Sequence, residues 1–165
     1  MCSSDLVRRH TVSARSAELI YGVVVRDGQL DAAATDARRA AIRAERKARS
    51  QTPRAGGEAA KVASAPDALR FHESLEIVGS GAAAAVRCRR CGTGLGSASD
   101  NYKHHALRRD RSLEELAGRS MPDGSPYLGV LREYACPGCA TLLQVDVFVP
   151  QLGGDEDLWD IRIER

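Results

Sequence analysis

The chain has 165 residues, with 24 Lys and Arg against 22 Asp and Glu for a net charge of +2, and 43 % of its residues are apolar. A charge this small does not by itself indicate nucleic acid or an anionic membrane as a partner. The longest apolar stretches, 21–25 and 82–86, are far shorter than the roughly 20 residues of a membrane-spanning helix. Two Phe and one Trp exclude the aromatic-rich core of a large enzyme domain. No apolar segment follows the N-terminal basic residues, so the sequence predicts a cytoplasmic protein without a secretory signal.

The aromatic residues and the cysteines are concentrated in the C-terminal part of the chain. Six of the seven aromatic residues and four of the five cysteines lie after residue 68. This distribution predicts two unequal parts, residues 7–50 and residues 69–165, joined by a linker over residues 51–68. Pro, Gly, Ala and Ser dominate the linker without periodicity. Such a composition is typical of a flexible segment, because nothing in it offsets the entropy lost on ordering.

Residues 7–50 have the pattern of a helix, a short strand, a turn and a second helix. Ser13 and Gly22 are placed to begin and to end the first helix, and Asp31 is placed to begin the second. The second helix is rich in Ala and Arg, and Ile42 is nearly its only large apolar residue. We therefore expect a solvated basic helix, with packing against a partner or against a missing part of the same chain as the alternative.

The same segment resembles the C-terminal end of hydantoinase B/oxoprolinase family subunits. The resemblance is carried by SAELIYGVVVRDGQLDAAATDARRAAIRAER within residues 7–50. It implies a helix-strand-helix tail that closes a larger domain and brings none of that family's active-site residues. Residues 1–6, MCSSDL, match the translation of a common sequencing adapter, so we expect an artefactual N-terminus on a truncated fusion fragment.

The C-terminal part has the short alternating apolar runs that are typical of β-strands. Ser112 and Glu115 form a capping box that predicts a short helix over residues 113–119. The predicted strands are 70–78, 82–87, 127–135, 141–149 and an edge strand at 158–164. The residues predicted to be buried on two of these strands are Phe71, Leu75, Ile77, Leu143, Val145, Val147 and Val149.

Two C-x-x-C pairs are the strongest chemical signal in the sequence. Cys88 and Cys91 follow one predicted strand, and Cys136 and Cys139 follow another. Two intervening residues let the backbone turn so that both sulfurs face one point, and two such turns supply the four thiolates of a tetrahedral Zn²⁺ site. The sequence therefore predicts one structural zinc ion per chain. It predicts a small β-rich α+β fold, a zinc-ribbon-like antiparallel sheet with two cysteine knuckles and a short inserted helix, preceded by a helical tail and a flexible linker.

Disulfides, redox chemistry at one C-x-x-C pair and iron binding remain alternatives to zinc. The missing signal peptide argues against disulfides, and no thioredoxin-like βαβ pattern surrounds either pair. The 44 residues between Cys91 and Cys136 exceed the roughly 15–20 of an ordinary zinc ribbon. Gly92 suits the positive φ that follows the second cysteine of a knuckle, whereas Ala140 at the matching place is expected to cost about 1 kcal/mol.

Residues 100–111, DNYKHHALRRDR, are predicted to form a solvated basic turn with one packed histidine. An anion or subunit contact is the alternative. Metal ligation by His104 or His105 is not expected, because four cysteines already complete a tetrahedral site.

The C-terminal part resembles the small gamma subunit of acetone carboxylase and its acetophenone carboxylase relatives. The matching strings are LEIV, RCRRCG, NYKHHAL and VLREYACPGCATLLQVDVFVP. The resemblance implies zinc ligation by the four cysteines of the two pairs, and it implies a small subunit that joins hydantoinase A- and hydantoinase B-type subunits in an ATP-dependent complex. Lys103 and His105 also match the pattern, without an implied role, and the chain departs from the pattern after Pro150.

The functional hypothesis from the sequence is a non-catalytic structural zinc module of a hydantoinase/oxoprolinase-type carboxylase complex, with neither nucleic acid nor membrane among its partners. A nucleic-acid-binding zinc ribbon is an alternative, motivated by Arg87, Arg89 and Arg90 beside the first knuckle and by the basic residues 38–49. A free-standing redox or metal-carrier protein is a second alternative.

Overall fold

The computed structural model describes residues 9–57, 59–117, 121–152 and 157–160, together with Asp5 and Val7. The chain divides into two compact units, Met1–Ala48 and Arg49–Arg165, which are described separately below. None of the helices in the described part of the chain is long and apolar enough to cross a membrane. The predicted artefactual N-terminus lies, except for Asp5, outside the described residues.

From residue 9 onward, the N-terminal unit contains helix α1 (Ala14–Tyr21), a hairpin of β1 (Val25–Arg26) and β2 (Gln29–Leu30), and helix α2 (Ala32–Ala48). This order confirms the predicted pattern of elements.

The predicted caps of both helices are confirmed. The Ser13 Oγ accepts a hydrogen bond from the Ser16 N–H at 3.0 Å, and Gly22 ends α1 in the left-handed conformation. The Asp31 carboxylate accepts from the Ala34 N–H at 2.9 Å. Each cap satisfies a backbone donor or acceptor that the end of a helix leaves unpaired.

Small side chains form the interior of the N-terminal unit. Ala17, Gly22, Val23 and Thr35 are its buried residues among those described, and the Thr35 hydroxyl accepts from the Val24 N–H at 3.0 Å. Gly22 lies against α2, where a Cβ would come within 2.9 Å of the Arg39 side chain. The unit therefore buries little apolar area, as the composition of α2 predicted.

The first sheet of the C-terminal unit is antiparallel and contains, in spatial order and among the described residues, β3 (Leu69–Arg70), β4 (Leu75–Val78), β5 (Ala85–Cys88) and β6 (Gly94–Ser97). The predicted strand 70–78 is wrong in one respect, because residues 71–74 turn the chain and divide it into two paired strands. All four residues of β4 are buried. A 3₁₀ turn at Gly81–Ala83 shortens the predicted second strand.

The second sheet is antiparallel and contains β7 (Leu107–Ser112), β8 (Val130–Ala135) and β9 (Leu142–Phe148), again among the described residues. Helix α3 (Leu113–Ala117) follows β7, and the Ser112 hydroxyl accepts from the Glu114 N–H at 3.1 Å. The remaining residues of the predicted helix, 118–119, lie outside the described part. Residues 158–160 form no strand, and the rest of the predicted edge strand also lies outside it.

The apolar face predicted for the last strand is only partly correct. Leu143 is buried, but the side chains of Val145 and Val147 are 39 % and 63 % exposed. On the opposite face Asp146 is half-buried and makes an ion pair with the buried Lys103. Alternation alone gave no sign that a polar residue on the opposite face would have a buried partner.

Residues 51–57 and 59–62, named the strap here, differ from the flexible linker that the composition predicted. The strap hydrogen-bonds to the C-terminal unit at three places along its length: Gln51 N–H donates to Arg108 O at 2.7 Å, Ala55 N–H to His104 O at 3.0 Å, and Val62 N–H to Gly92 O at 2.7 Å. These backbone bonds explain how a segment with almost no large apolar side chains is held in place.

The apolar core of the C-terminal unit draws residues from both sheets and from the cysteine pairs. Its buried members are Leu75, Ile77, Val86, Cys88, Leu95, Ala98, Tyr102, Ala106, Tyr134, Cys136 and Leu143. Leu75 and Ile77 are thus buried as predicted, and Phe71 packs half-buried against the same cluster.

Candidate metal centre

The first knuckle is the turn between β5 and β6, with the sequence CRRCGT over residues 88–93. The Cys88 N–H donates to Thr93 O at 2.8 Å, and the Gly92 N–H donates to Cys88 O at 2.8 Å. Gly92 has a φ of 74°, a left-handed conformation that glycine adopts at little cost. The Thr93 hydroxyl lies 3.1 Å from the Cys91 Sγ.

The second knuckle, between β8 and β9, repeats this geometry with the sequence CPGCAT over residues 136–141. The Cys136 N–H donates to Thr141 O at 2.9 Å, and the Ala140 N–H donates to Cys136 O at 2.8 Å. The Thr141 hydroxyl lies 3.1 Å from the Cys139 Sγ. Ala140 has a φ of 55°, which confirms that an alanine here occupies the conformation expected to be strained.

The fold brings the four sulfurs of the two knuckles together. All four lie within 4.8 Å of one another, with 3.8 Å between the sulfurs of Cys88 and Cys139 and 3.6 Å between those of Cys91 and Cys136. Four sulfurs at about 2.3 Å from a central ion in a tetrahedron are separated by about 3.8 Å. The donor set and its spacing therefore fit a tetrahedral metal ion that is closed to further ligands.

The protonation states of the four cysteine thiols depend on one another. Cys88 and Cys136 are buried, and Cys91 and Cys139 are half-buried. A hydrogen bond from the Cys136 thiol lowers the pKa of Cys88 to about 5, and the same pairing, together with burial, raises the pKa of Cys136. Burial also raises the pKa of Cys139. A cation bound among the sulfurs would favour the thiolate form of all four cysteines, and it would therefore oppose the pKa increases that burial and thiol pairing cause.

The predicted solvated basic turn is wrong for Lys103, because its side chain is buried. Residues 102–105 form a 3₁₀ turn, and the Lys103 side chain is 0 % exposed. Its ammonium group lies 2.6 Å from an Asp146 carboxylate oxygen and also contacts the Asp160 carboxylate. It lies 5.0 Å from the centre of the Tyr134 ring. The family resemblance gave Lys103 no role, and the structure gives it that of a buried structural cation.

A buried carboxylate, Asp157, lies beside this cluster. Its side chain is 1 % exposed and accepts from the Tyr134 hydroxyl at 2.8 Å and from the Arg132 guanidinium at 3.1 Å. The Arg132 guanidinium also makes a bidentate contact with Asp110, donating to each carboxylate oxygen at 2.9 Å. Burial and the Asp157 carboxylate raise the pKa of Tyr134. The sequence gave no signal for this network, because its members are far apart along the chain.

Both histidines of this turn are half-buried, and His105 is the packed histidine that the sequence predicted, because its ring lies against Gly96. The side chains of His104 and His105 are 34 % and 27 % exposed. The His105 Nε2 lies 3.2 Å from an Asp100 carboxylate oxygen, and its ring covers Gly96, where a Cβ would overlap it. Neither histidine belongs to the cysteine group found among the described residues.

Two of the arginines that motivated the nucleic-acid alternative are engaged within the C-terminal unit. The Arg87 guanidinium lies 2.6 Å from one Glu76 carboxylate oxygen, and Arg89 lies 3.3 Å from the other. The Ser64 hydroxyl donates to Glu76 at 2.8 Å. Burial raises the pKa of Glu76, but the hydrogen bond from Ser64 and the two arginines outweigh it, so the pKa is lowered. These contacts weaken the basis for a nucleic-acid surface at the first knuckle.

Comparison with known proteins identifies a family for most of the C-terminal unit. A search of curated proteins gave no match. The sequence model of the family described as acetone carboxylase gamma subunit matches residues 66–160, which is more than half of the chain and includes both knuckles. The match does not include residues 7–50, whose resemblance to hydantoinase B subunits stays a prediction. The chain belongs to the acetone carboxylase gamma subunit family.

Proposed function

We propose that the chain is a non-catalytic structural module that binds one Zn²⁺ per chain through Cys88, Cys91, Cys136 and Cys139. The observation that carries this proposal is the approach of the four sulfurs to within 4.8 Å of one another. Four thiolates leave no open position on the ion for a substrate or water, so the zinc would hold the two knuckles together rather than perform a reaction. Metal binding would then contribute directly to the stability of the C-terminal unit.

The family membership supports a role inside a larger assembly. The module would join hydantoinase A- and hydantoinase B-type subunits in an ATP-dependent complex of the acetone carboxylase kind, in the cytoplasm, with the chemistry performed on those subunits. The segment 7–50, which resembles the end of a hydantoinase B subunit, would dock on that partner. The small buried interior of the N-terminal unit, with Ala17 and Val23 as its apolar members among the described residues, is consistent with a segment that gains stability by docking.

Two experiments test the proposal. Elemental analysis of the purified chain should give one zinc per chain and no bound iron. Co-expression with hydantoinase A- and B-type subunits from the same genome should yield a complex of fixed stoichiometry that a Cys136→Ser/Cys139→Ser double variant fails to join. ATP-dependent turnover by the isolated chain would overturn the non-catalytic role. A folded chain without metal would overturn the zinc site.

A further inference from the structure

The strap reaches the first knuckle at its C-terminal end. The Val62 N–H donates to Gly92 O at 2.7 Å, and the Gly94 N–H donates to Ala60 O at 2.8 Å. Lys61 and Thr93 form an isolated antiparallel bridge between the two segments. Residues 60–62 of the strap are thus paired with residues 92–94, which directly follow the second cysteine of the first pair.

Lys61 makes two hydrogen bonds to this knuckle. Its ammonium group donates to Cys91 O at 2.6 Å and to the Thr93 hydroxyl oxygen at 3.1 Å. The Thr93 hydroxyl in turn lies 3.1 Å from the Cys91 Sγ. Because the lysine donates to the Thr93 oxygen, the hydroxyl hydrogen is directed away from the lysine and toward the sulfur. A metal-bound thiolate is an acceptor, so Thr93 would donate to it.

The second knuckle lacks this arrangement among the described residues. The Thr141 hydroxyl also lies 3.1 Å from its cysteine sulfur, but no lysine is bonded to it in the described part of the chain. The chain therefore offers an internal control, with the same Thr–Cys contact in two knuckles and a lysine beside one of them.

We infer that Lys61 is a positioning residue of the metal centre, which stabilises the metal-bound Cys91 thiolate through the Thr93 hydroxyl and thereby couples metal affinity to strap docking. This inference rests on the proposed zinc site. A tetrathiolate zinc centre carries a net charge of −2, and a lysine no more than about 6 Å from one sulfur favours it electrostatically. Residues that orient metal ligands typically change metal affinity by about 10–100-fold. Lys61 lies outside the family-matched range, which begins at residue 66.

Competitive zinc titration against a chelating indicator tests the inference on the full chain. Lys61→Met should weaken zinc binding by about 10-fold, the lower end of the usual range, because Lys61 is an exposed residue. Lys61→Arg should restore most of the affinity, and the matched control Lys47→Met should bind zinc like the wild type. The difference between Lys61→Met and the wild type should shrink in 1 M salt, since a charge effect at the surface is screened.

A double-mutant cycle identifies the route of the effect. In a Thr93→Val background the substitution Lys61→Met should lose most of its effect on zinc affinity, whereas in a Thr141→Val background it should keep it. Hydrogen exchange on the zinc-loaded proteins provides a readout independent of affinity. The Val62 amide should exchange several-fold faster in Lys61→Met, with the Ala55 amide unchanged.

The failures of this inference and of the proposed function are distinguishable. A wild-type chain that binds no zinc overturns the zinc site itself. Equal zinc affinity of the wild type and Lys61→Met overturns only the role of Lys61. A loss that arginine does not rescue and that 1 M salt does not reduce also overturns it, because Lys61 would then act only by packing.

Discussion

The two cysteine knuckles share a backbone geometry but differ in their surroundings. Each closes with the same pair of hydrogen bonds and places a threonine hydroxyl 3.1 Å from its second sulfur. The first has glycine at the left-handed position and the strap along its side, whereas the second has alanine there and lies at the end of β8, the strand that contributes Tyr134 and Arg132 to the buried polar network. The ligand geometry is therefore local to each turn, whereas the contacts around the knuckles include distant parts of the chain, the strap at the first and Asp157 near the second.

The largest effect is expected when one knuckle can no longer contribute both of its sulfurs. Cys136→Ser should abolish stoichiometric zinc binding and unfold residues 69–165 while residues 1–50 keep their structure, because metal binding supplies much of the folding free energy of small zinc domains. Elemental analysis together with hydrogen exchange would measure both effects. Cys2→Ser is the matched control and should change neither. A Cys136→Ser chain that stays folded without metal would show that the knuckles do not depend on the ion.

The polar network near the second knuckle should be the next most sensitive part of the molecule. Lys103→Met removes a cation that is 0 % exposed and leaves the Asp146 carboxylate without its partner. Breaking a buried ion pair in this way typically costs about 3–5 kcal/mol. Urea denaturation would measure the loss, with Lys47→Met as the control for removing a lysine. A loss below about 1 kcal/mol would mean that Asp146 finds another partner or water.

The two knuckles differ in the residue that directly precedes the second cysteine of each C-x-x-C pair. Gly138 in the second knuckle corresponds to Arg90 in the first, and a Cβ on Gly138 would overlap the Thr93 hydroxyl and lie 3.0 Å from the Cys91 Sγ. Gly138→Ala should therefore destabilise the C-terminal unit by about 1–3 kcal/mol through overpacking. Zinc affinity should fall with it. Arg90→Ala, at the exposed matching position, should leave thermal stability and zinc affinity nearly unchanged, and an equal effect of the two changes would contradict the difference between the knuckles.

The smallest effects are expected at the left-handed positions. Gly92→Ala should cost about 1–2 kcal/mol, because an L-residue is disfavoured there and its Cβ would lie 3.1 Å from the Arg87 guanidinium. The reciprocal change Ala140→Gly should stabilise the unit by about 0.5 kcal/mol, since relief of the strain exceeds the added entropy of the unfolded chain. Thermal denaturation of both variants checks the opposite signs. Two changes of the same sign would show that local packing outweighs the backbone conformation.

Much of the fold could be predicted because its signals are local. Ser13, Gly22 and Asp31 act on backbone groups within a few residues of themselves, so their caps follow from the sequence alone. The strained position of Ala140 could be predicted for the same reason, since a C-x-x-C turn fixes the conformation of the residue after it.

The predictions that failed depend on residues far apart along the chain. The exposure of Val145 and Val147 was not predicted, because alternation reports where apolar residues lie along a strand, whereas burial depends on what packs against each face. The strap was predicted to be a flexible linker because its composition shows no apolar pattern. It is held instead by backbone hydrogen bonds, which composition does not report.

The sequence by itself determined the four sulfur donors, the two turns that present them and the family to which residues 66–160 belong, because ligand type and C-x-x-C spacing are properties of short segments. Only the tertiary structure decided that the two turns meet, that Lys103 is buried beneath β9 and that Lys61 reaches the first knuckle. Each of these requires segments separated by tens of residues to come within a few ångströms, and such proximity is set by the packing of the whole unit.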